Sequence, residues 1–195
     1  MQRRHLTVLT LIFILAVTFV SSLRARAHGT APETPTRADR AARGEYLVRF
    51  GLCNDCHTPH KLGPTGPVPD MTRALSGHPS DLVMPPPPPL SGPWVWAGAG
   101  TMTAFAGPWG VSFTANLTPD KETGLGHWTE EMFIMALRTG RHEGKGRPIL
   151  PPMPYQYVGS LTDDDLKAVF AYLQSIPAVR NRVPAPIDPP EETRR

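Results

Sequence analysis

The sequence predicts a small all-α domain with long proline-rich loops. Three segments carry the polar caps and apolar spacing that are typical of helices, and the long loop between the first two shows no strand period. The 24 prolines and 17 glycines interrupt regular elements, which disfavours a large sheet or a long coiled coil. A length of 195 residues suits one domain with a sizeable core.

The first 27 residues have the organisation of an export signal. Arg3 and Arg4 precede an uncharged apolar run over 6–20, and an Ala-x-Ala cleavage pattern ends at Ala27. We therefore predict a signal peptide over 1–27 and a periplasmic protein. The alternative is an uncleaved N-terminal anchor that keeps the chain at the membrane, although the run is shorter than the roughly 20 residues of a bilayer span.

The positive net charge of the whole chain comes from this segment. Four of the 20 Lys and Arg side chains lie in residues 1–27, which contain no acid, so 16 basic side chains face 17 acidic ones in the rest, a net charge of −1. No cluster of Lys or Arg remains that could neutralise several phosphates. The sequence thus argues against a nucleic-acid partner.

The first helix is predicted to follow a short flexible lead-in over 28–36, which is polar and contains proline. Thr36, followed three residues later by Asp39, predicts a helix cap, and the chain then runs without proline as far as Phe50. We therefore expect the first helix to end just before Cys53.

A long loop is predicted over residues 61–115, where Gly-Pro pairs, five prolines at 85–89 and three tryptophans replace any regular period. The run of prolines favours polyproline II, which has no internal hydrogen bonds. We expect the loop to wrap the domain and to be held down by its aromatic side chains. A solvent-exposed linker is the alternative.

Two later helices and a tail complete the predicted domain. Thr129 and two glutamates cap a helix that Gly140 ends, and Thr162 and three aspartates cap another that Pro177 stops. Residues 177–195 are Pro-rich and charged and are predicted to be a disordered tail. The last helix has a buried face with i, i+3, i+4, i+7 spacing, made of Leu166, Val169, Phe170 and Leu173.

Both cysteines of the chain lie in the motif Cys53-Asn54-Asp55-Cys56-His57, the attachment motif of c-type haem. One helical turn carries the two thiols to the two vinyl groups of the haem, where thioether bonds form. His57 then follows as an axial ligand of the iron. Covalent haem of this type is attached outside the cytoplasm in bacteria, in agreement with the export signal.

Three other uses of this motif fit the sequence less well. A disulfide between Cys53 and Cys56 would close a loop too small to stabilise much. A thioredoxin-like redox pair needs a βαβ context, which the helical and proline-rich pattern lacks. A zinc site with His57 and His60 would place four ligands within eight residues, unlike the spacing of zinc fingers. Haem c with its iron is therefore the predicted cofactor.

The second axial ligand decides between an electron carrier and a haem with an open position for chemistry. Met153 is favoured because Pro151, Pro152 and Pro154 restrict the backbone around it. A histidine and a methionine together saturate the iron, which suits a carrier. The other candidates are Met71, Met84, Met102, Met132, Met135, His60, His78, His127 and His142.

The chain from Gly44 to about Ile176 resembles the class I cytochromes c. Within them it resembles the haem-c subunits of periplasmic membrane-bound dehydrogenases of alcohols, aldehydes and sugar acids. The haem motif with GEYL before it carries the resemblance, together with ANLTPD at 115–120, TGLGHWT at 123–129 and PMPY at 152–155. The resemblance implies a class I cytochrome c-like helical domain over 37–176, with a loop insertion at about 61–115, around one covalent haem.

The resemblance also implies roles for single residues. Cys53 and Cys56 match the thioether positions, His57 the proximal ligand and Met153 the distal ligand.

Two packing contacts are implied in the same way. A glycine of the first helix packs against an aromatic residue of the last, for which Gly44 and either Tyr172 or Phe170 are the candidates. A carbonyl beside a proline accepts a hydrogen bond from the proximal imidazole, and the pair Gly63-Pro64 is one candidate for this role.

The sequence therefore predicts an exported monohaem cytochrome c that transfers single electrons and is not itself an enzyme. Its expected partners are a periplasmic dehydrogenase as donor and a terminal oxidase or another cytochrome as acceptor. The dehydrogenase subunits commonly carry three haem motifs, whereas this chain has one. The alternative is a haem enzyme or gas sensor with an open or labile sixth iron position.

Overall fold

The structure, a computed structural model, describes residues 34–191, which form five α-helices and two small antiparallel sheets. The predicted signal peptide over 1–27, most of the predicted lead-in over 28–36 and residues 192–195 lie outside this range. The helices are α1 (Arg37–Phe50), α2 (Cys53–His57), α3 (Glu130–Thr139), α4 (Tyr155–Val158) and α5 (Asp163–Leu173).

The three longer helices begin where the sequence predicts. Thr36 and Asp39 form a reciprocal capping box at the start of α1. The side chains of Thr129 and Thr162 each accept a hydrogen bond from a backbone N–H in the first turn of α3 and α5. These N–H groups have no partner within the helix, so the caps stabilise the helix starts. The three predicted caps are confirmed.

The predicted all-α fold class is wrong, because the region predicted to be a loop contains short strands. Each strand has two to four residues, too few for an alternation of polar and apolar side chains to be visible in the sequence. One sheet pairs β1 with β2, and the other has the order β3-β4-β5. The strands are β1 (His60–Gly63), β2 (Gly66–Pro69), β3 (Ala97–Gly98), β4 (Ala104–Gly107) and β5 (Gly110–Phe113).

Tight turns close two of these strand pairs. Gly63 pairs with Gly66 at the end of the β1–β2 hairpin, and Gly107 pairs with Gly110 at the end of the β4–β5 hairpin. Gly66 and Gly110 have φ angles of 132° and 91°, which L side chains rarely adopt. These sheets therefore depend on tight turns at glycine, and not on an alternation of polar and apolar side chains along the strands.

The core of the domain lies where α1 and α5 meet, and these two helices make the most extensive contacts between elements. The predicted buried face of α5 is confirmed, since all four of its residues are buried. Residues of α1, α3 and two loops complete one apolar cluster. It consists of Val48, Leu75, Leu125, Phe133, Leu137, Leu166, Val169, Phe170 and Leu173.

The chain after α5 makes defined contacts, although the sequence predicts a disordered tail over 177–195. Asn181 is buried, and the backbone of Val179 donates a hydrogen bond to Thr118 Oγ1 at 3.0 Å. Ile187 exchanges two backbone hydrogen bonds with Val111 of β5, at 2.8 and 2.9 Å. This segment therefore extends the edge of the three-stranded sheet.

None of the helices within residues 34–191 combines the length and the apolar character that a membrane-spanning helix needs.

Candidate functional site

The two cysteines lie on α2, a single helical turn that follows α1 directly. Gly51 ends α1 with a backbone hydrogen bond to Leu47, and Leu52 then adopts a left-handed conformation with a φ of 55°. This reversal redirects the chain so that a new helix starts at Cys53. Because residues three apart on a helix lie on the same face, Cys53 and Cys56 present their thiols on one side of α2.

Thr58 fixes the end of α2. Its side chain is fully buried, donates to Asn54 Oδ1 at 2.9 Å and accepts from the backbone N–H of Leu75 at 2.9 Å. The Thr58 backbone N–H also donates to the carbonyl of Asn54 at 3.0 Å. These bonds hold α2 against the core residue Leu75. The position of this short helix is therefore fixed by contacts with the rest of the domain.

His57 is buried and oriented by one hydrogen bond. Only 8% of its surface is exposed, and its Nδ1 lies 2.8 Å from the carbonyl oxygen of Ala115. A carbonyl can only accept, so Nδ1 carries the proton and Nε2 is left with its lone pair. Within residues 34–191, Nε2 takes part in no hydrogen bond. Burial lowers the pKa of this imidazole, which favours the neutral form that binds metals.

The acceptor of this bond differs from the predicted candidate. The pair Gly63-Pro64 forms part of the β1–β2 hairpin instead, and the prediction that it accepts from His57 is wrong. The acceptor, Ala115, opens the ANLTPD segment at 115–120. In the sequence, this segment supports the resemblance to cytochromes c but indicates no role for the Ala115 carbonyl.

Gly77 links His57 to the segment that contains Ala115. Its backbone N–H donates to the carbonyl of His57 at 2.7 Å. A β-carbon on Gly77 would overlap with the backbone of Thr114 and Ala115, so the close approach of the two segments requires glycine. The position of the acceptor for Nδ1 is therefore set by backbone packing.

Both thiols are free and protonated in this environment. Burial raises the pKa of Cys53 to about 11 and also raises the pKa of Cys56. Thiol–disulfide exchange requires thiolates, which form when neighbouring positive charge or a metal lowers the pKa of the thiol. The environment of Cys53 and Cys56 therefore disfavours a redox dithiol and suits thiols that are consumed in a permanent bond.

Met153 lies in a short segment held by several backbone contacts. Its N–H donates to the carbonyl of Leu150 at 3.3 Å, and its carbonyl accepts from the N–H of Tyr155, at the start of α4, at 2.9 Å. The hydroxyl of Ser112 on β5 donates to the carbonyl of Pro151 at 2.6 Å. The segment is thus fixed on both sides of Met153.

The structure brings Met153 and Cys53 to the same apolar cluster. Both are partly buried and pack against the core that α1 and α5 share. Among the methionines within residues 34–191, Met153 is the one that packs against this cluster. This placement distinguishes it from the other methionine candidates.

The alternative ligands have other surroundings. Met71 and Met135 are exposed. His78 is fully buried, and both of its ring nitrogens are within hydrogen-bond distance of oxygens, those of Thr103 and Leu82. Met84 and His60 line a separate cavity of about 420 Å³ beside β1. His127 and His142 lie beside Glu143, at 3.3 and 3.8 Å.

The donor set of this site fits a covalently bound haem. Cys53 and Cys56 carry two thiols on one turn, His57 carries an oriented neutral imidazole, and the predicted ligand Met153 packs against the same apolar cluster as Cys53. The described residues contain no group of three or more His, Cys, Asp or Glu that could hold a metal ion by themselves.

Comparisons with known proteins extend this result, although no protein-family model matches the chain. The chain is 30% identical over 188 residues to the fructose dehydrogenase cytochrome subunit of Gluconobacter japonicus, a match that covers 92% of this chain. It is 32% identical over 130 residues to the cytochrome c subunit of alcohol dehydrogenase (quinone) of Gluconobacter oxydans. It is 31% identical over 130 residues to the gluconate 2-dehydrogenase cytochrome c subunit of Pantoea cypripedii. Each of these two matches covers 67% of this chain.

The matched region is a small part of each relative. The chain spans 30% of the fructose dehydrogenase subunit, 20% of the alcohol dehydrogenase subunit and 22% of the gluconate dehydrogenase subunit. All three relatives are named as cytochrome subunits of dehydrogenases. The chain is therefore similar to one part of the cytochrome c subunits of dehydrogenases, which confirms the resemblance that its motifs predict.

Proposed function

We propose that this chain is a c-type cytochrome with one haem, which carries single electrons and catalyses no reaction of its own. The observation that carries the proposal is the state of His57. Its Nδ1 donates to the Ala115 carbonyl, which leaves the lone pair on Nε2, and the histidine directly follows a pair of thiols on a single helical turn. The names of the relatives support haem c and iron as the cofactor.

The roles of the residues follow from their chemistry. The thiols of Cys53 and Cys56 form the two thioether bonds, and Nε2 of His57 is the proximal ligand. The bond to Ala115 prevents rotation of the imidazole and increases its basicity as a ligand. The bound haem supplies one-electron redox chemistry at its iron.

Met153 is the distal ligand in this proposal. Its backbone is fixed by bonds to Leu150 and Tyr155, and its side chain packs on the same core as Cys53. Ligation by a histidine and a methionine leaves no position for a substrate, and a thioether favours Fe(II) and raises the potential relative to two histidines. The apolar cluster around Met153 and Cys53 keeps water from this part of the site.

We also propose the route of the electrons and the location. The relatives are subunits of fructose, alcohol and gluconate dehydrogenases, so the donor is a dehydrogenase of this kind. The acceptor is a terminal oxidase or another cytochrome. The export signal over 1–27 places the protein in the periplasm, with residues 37–176 as its haem domain. The net charge of −1 after residue 27 suits weak and transient redox encounters.

A spectrum of the purified protein tests the distal ligand. Oxidised c-type haem with an iron–methionine bond shows a weak long-wavelength absorption band, and Met153→Ala should abolish it. The exposed Met71 provides the matched control, and Met71→Ala should leave the band unchanged.

Two results would contradict the proposal. A band that survives Met153→Ala would assign the distal position to another residue. Absence of the band in the unmodified protein, together with binding of added carbon monoxide or cyanide without displacement of a ligand, would indicate an open iron position. The chain would then be a haem enzyme or gas sensor.

A further inference from the structure

A stretch of the chain without any ionisable side chain begins with an exposed loop. Charged residues make up 19% of the whole sequence, yet there is no Asp, Glu, Lys, Arg or His between Asp81 and Asp120. The first part of this stretch, residues 82–96, contains the five consecutive prolines and two of the tryptophans. We refer to residues 82–96 as the proline–tryptophan loop.

The large apolar side chains of this loop face solvent. Trp94 is 73% exposed, Val95 60% and Trp96 46%, while Val83 and Leu90 are also exposed. The expectation that aromatic side chains hold the loop down is therefore wrong for Trp94. An exposed apolar group of this kind marks a surface that another phase or molecule covers.

Both ends of the proline–tryptophan loop are fixed to the domain. Nε2 of the buried His78 lies 3.1 Å from the carbonyl of Leu82. At the other end, the ring of Trp96 contacts Phe105 edge to face, with centroids 5.8 Å apart, and the chain then enters β3. The loop is thus presented from a rigid base and is not a free linker.

We propose that the proline–tryptophan loop rests in the interface of a lipid bilayer. Tryptophan prefers this region because its ring is apolar and its indole N–H can still reach water or a headgroup. Trp94 and Trp96 flank Val95, and all three side chains are exposed. The contact is separate from electron transfer and would hold the protein at a membrane surface.

The prolines make such a contact less costly. A backbone N–H that leaves water without a partner carries a free-energy penalty. Residues 85–89 belong to none of the helices and strands within residues 34–191. Proline has no N–H, so these five residues bring no donor to the interface. A polyproline segment also loses little conformational freedom when it docks.

A bilayer fits the loop better than a second protein does. Specific protein interfaces carry about one hydrogen bond for each 100–200 Å² and have a polar rim. Between Leu82 and Gly100, apart from the two indoles, Ser91 is the one side chain with a hydrogen-bonding group. The loop therefore offers apolar area and almost no groups that could select a protein partner.

A spin label in the loop tests the proposal directly. Ser91 is exposed, so a nitroxide on Ser91→Cys in the full-length protein reports the surroundings of the loop on phosphatidylcholine vesicles. We expect its collisions with oxygen to increase and its collisions with a water-soluble nickel chelate to decrease when vesicles are added. The exposed Ser160, labelled in the same way, should remain in water. An unsubstituted sample reports any labelling at Cys53 and Cys56.

Substitutions in the loop provide the second part of the test. Trp94→Ser with Trp96→Ser should weaken the partition of the loop into vesicles by more than about tenfold, because two large apolar surfaces are lost. Tyr157→Ser, which removes an 80% exposed aromatic ring elsewhere, should have no effect. A label at Ser91 that stays in water, even when the N-terminal segment binds the vesicles, overturns the proposal and leaves a protein partner for the loop. None of these measurements depends on haem or electron transfer.

Discussion

Gly44 on α1 lies against the backbone carbonyl of Ala168 on α5, and no side chain fits between them. A β-carbon on Gly44 would overlap with this carbonyl and would lie 2.8 Å from the β-carbon of Tyr172. Of the two aromatic residues predicted to contact Gly44, Tyr172 is therefore the one in direct contact. The absence of a side chain at Gly44 lets the two longest helices of the described chain approach closely.

Gly44→Ala should consequently force α1 and α5 apart. We expect the free energy of unfolding to fall by about 1–3 kcal/mol, the range of an overpacked core. Thermal or urea unfolding followed by circular dichroism measures the change. Gly100→Ala is the control, since a β-carbon there meets no atom within 4 Å. Equal stability of the two variants would contradict the close approach.

Asn181 connects the C-terminal segment to the loop between β2 and β3. Its side-chain amide donates to the carbonyls of Ser76 and His78 at 2.7 and 2.8 Å and accepts from the N–H of Ser80 at 2.9 Å. Asn181 is 3% exposed, so water cannot replace these bonds without rearrangement.

Removal of this side chain should destabilise the domain. Asn181→Ala removes the hydrogen-bond partner of the buried carbonyls of Ser76 and His78 and of the N–H of Ser80, and we expect a loss of roughly 2–4 kcal/mol in the free energy of unfolding. The neighbouring Arg182 is exposed, and Arg182→Ala should change stability by less than about 0.5 kcal/mol. If Asn181→Ala is as stable as Arg182→Ala, residues 177–191 are not held as the structure has them.

The ion pair between Arg43 and Asp165 should make stability depend on pH. Arg43 Nε lies 2.9 Å from Asp165 Oδ1, and this hydrogen bond holds the pKa of the Asp165 carboxyl below its ordinary value. A carboxyl with a lowered pKa in the folded state stabilises the protein above its unfolded pKa. The contribution disappears as the pH falls through the folded value.

Asp165→Asn should therefore lower the melting temperature at neutral pH, and the difference from the unsubstituted protein should shrink below about pH 4. Asp164→Asn controls for the loss of a negative charge in the same helical turn, because Asp164 is 98% exposed and its nearest cation is 4.0 Å away. A difference between the Asp165 and Asp164 variants that stays constant from pH 7 to acid would contradict the role of the pair.

Local signals in the sequence predicted most of the helical part of the fold. The caps at Thr36, Thr129 and Thr162 are each encoded within four residues, so the sequence alone is sufficient to identify them. The sheets were missed because strands of two to four residues have no visible period and depend on glycine turns and distant pairing. The bridge between Val111 and Ile187 joins residues far apart in the chain, which no local pattern reveals.

The candidate site also has one part that the sequence predicts and one part that only the fold shows. The two thiols and His57 form one contiguous motif, whose spacing has a direct chemical meaning. The acceptor for His57 could not be predicted, because a backbone carbonyl has no sequence signature and Ala115 lies 58 residues further along the chain. Its position follows from the close backbone packing at Gly77, which only the fold shows.

Loss of both thiols should give a protein without covalent haem. Cys53→Ser combined with Cys56→Ser keeps the size and polarity of the side chains but removes the atoms that form thioether bonds. Denaturing electrophoresis with a haem stain, alongside an immunoblot for the amount of protein, measures the outcome. Either single substitution should retain haem through the remaining cysteine, since each thioether bond forms at its own vinyl group. Haem that survives denaturation in the double variant would rule out attachment at α2 and with it the proposed cytochrome.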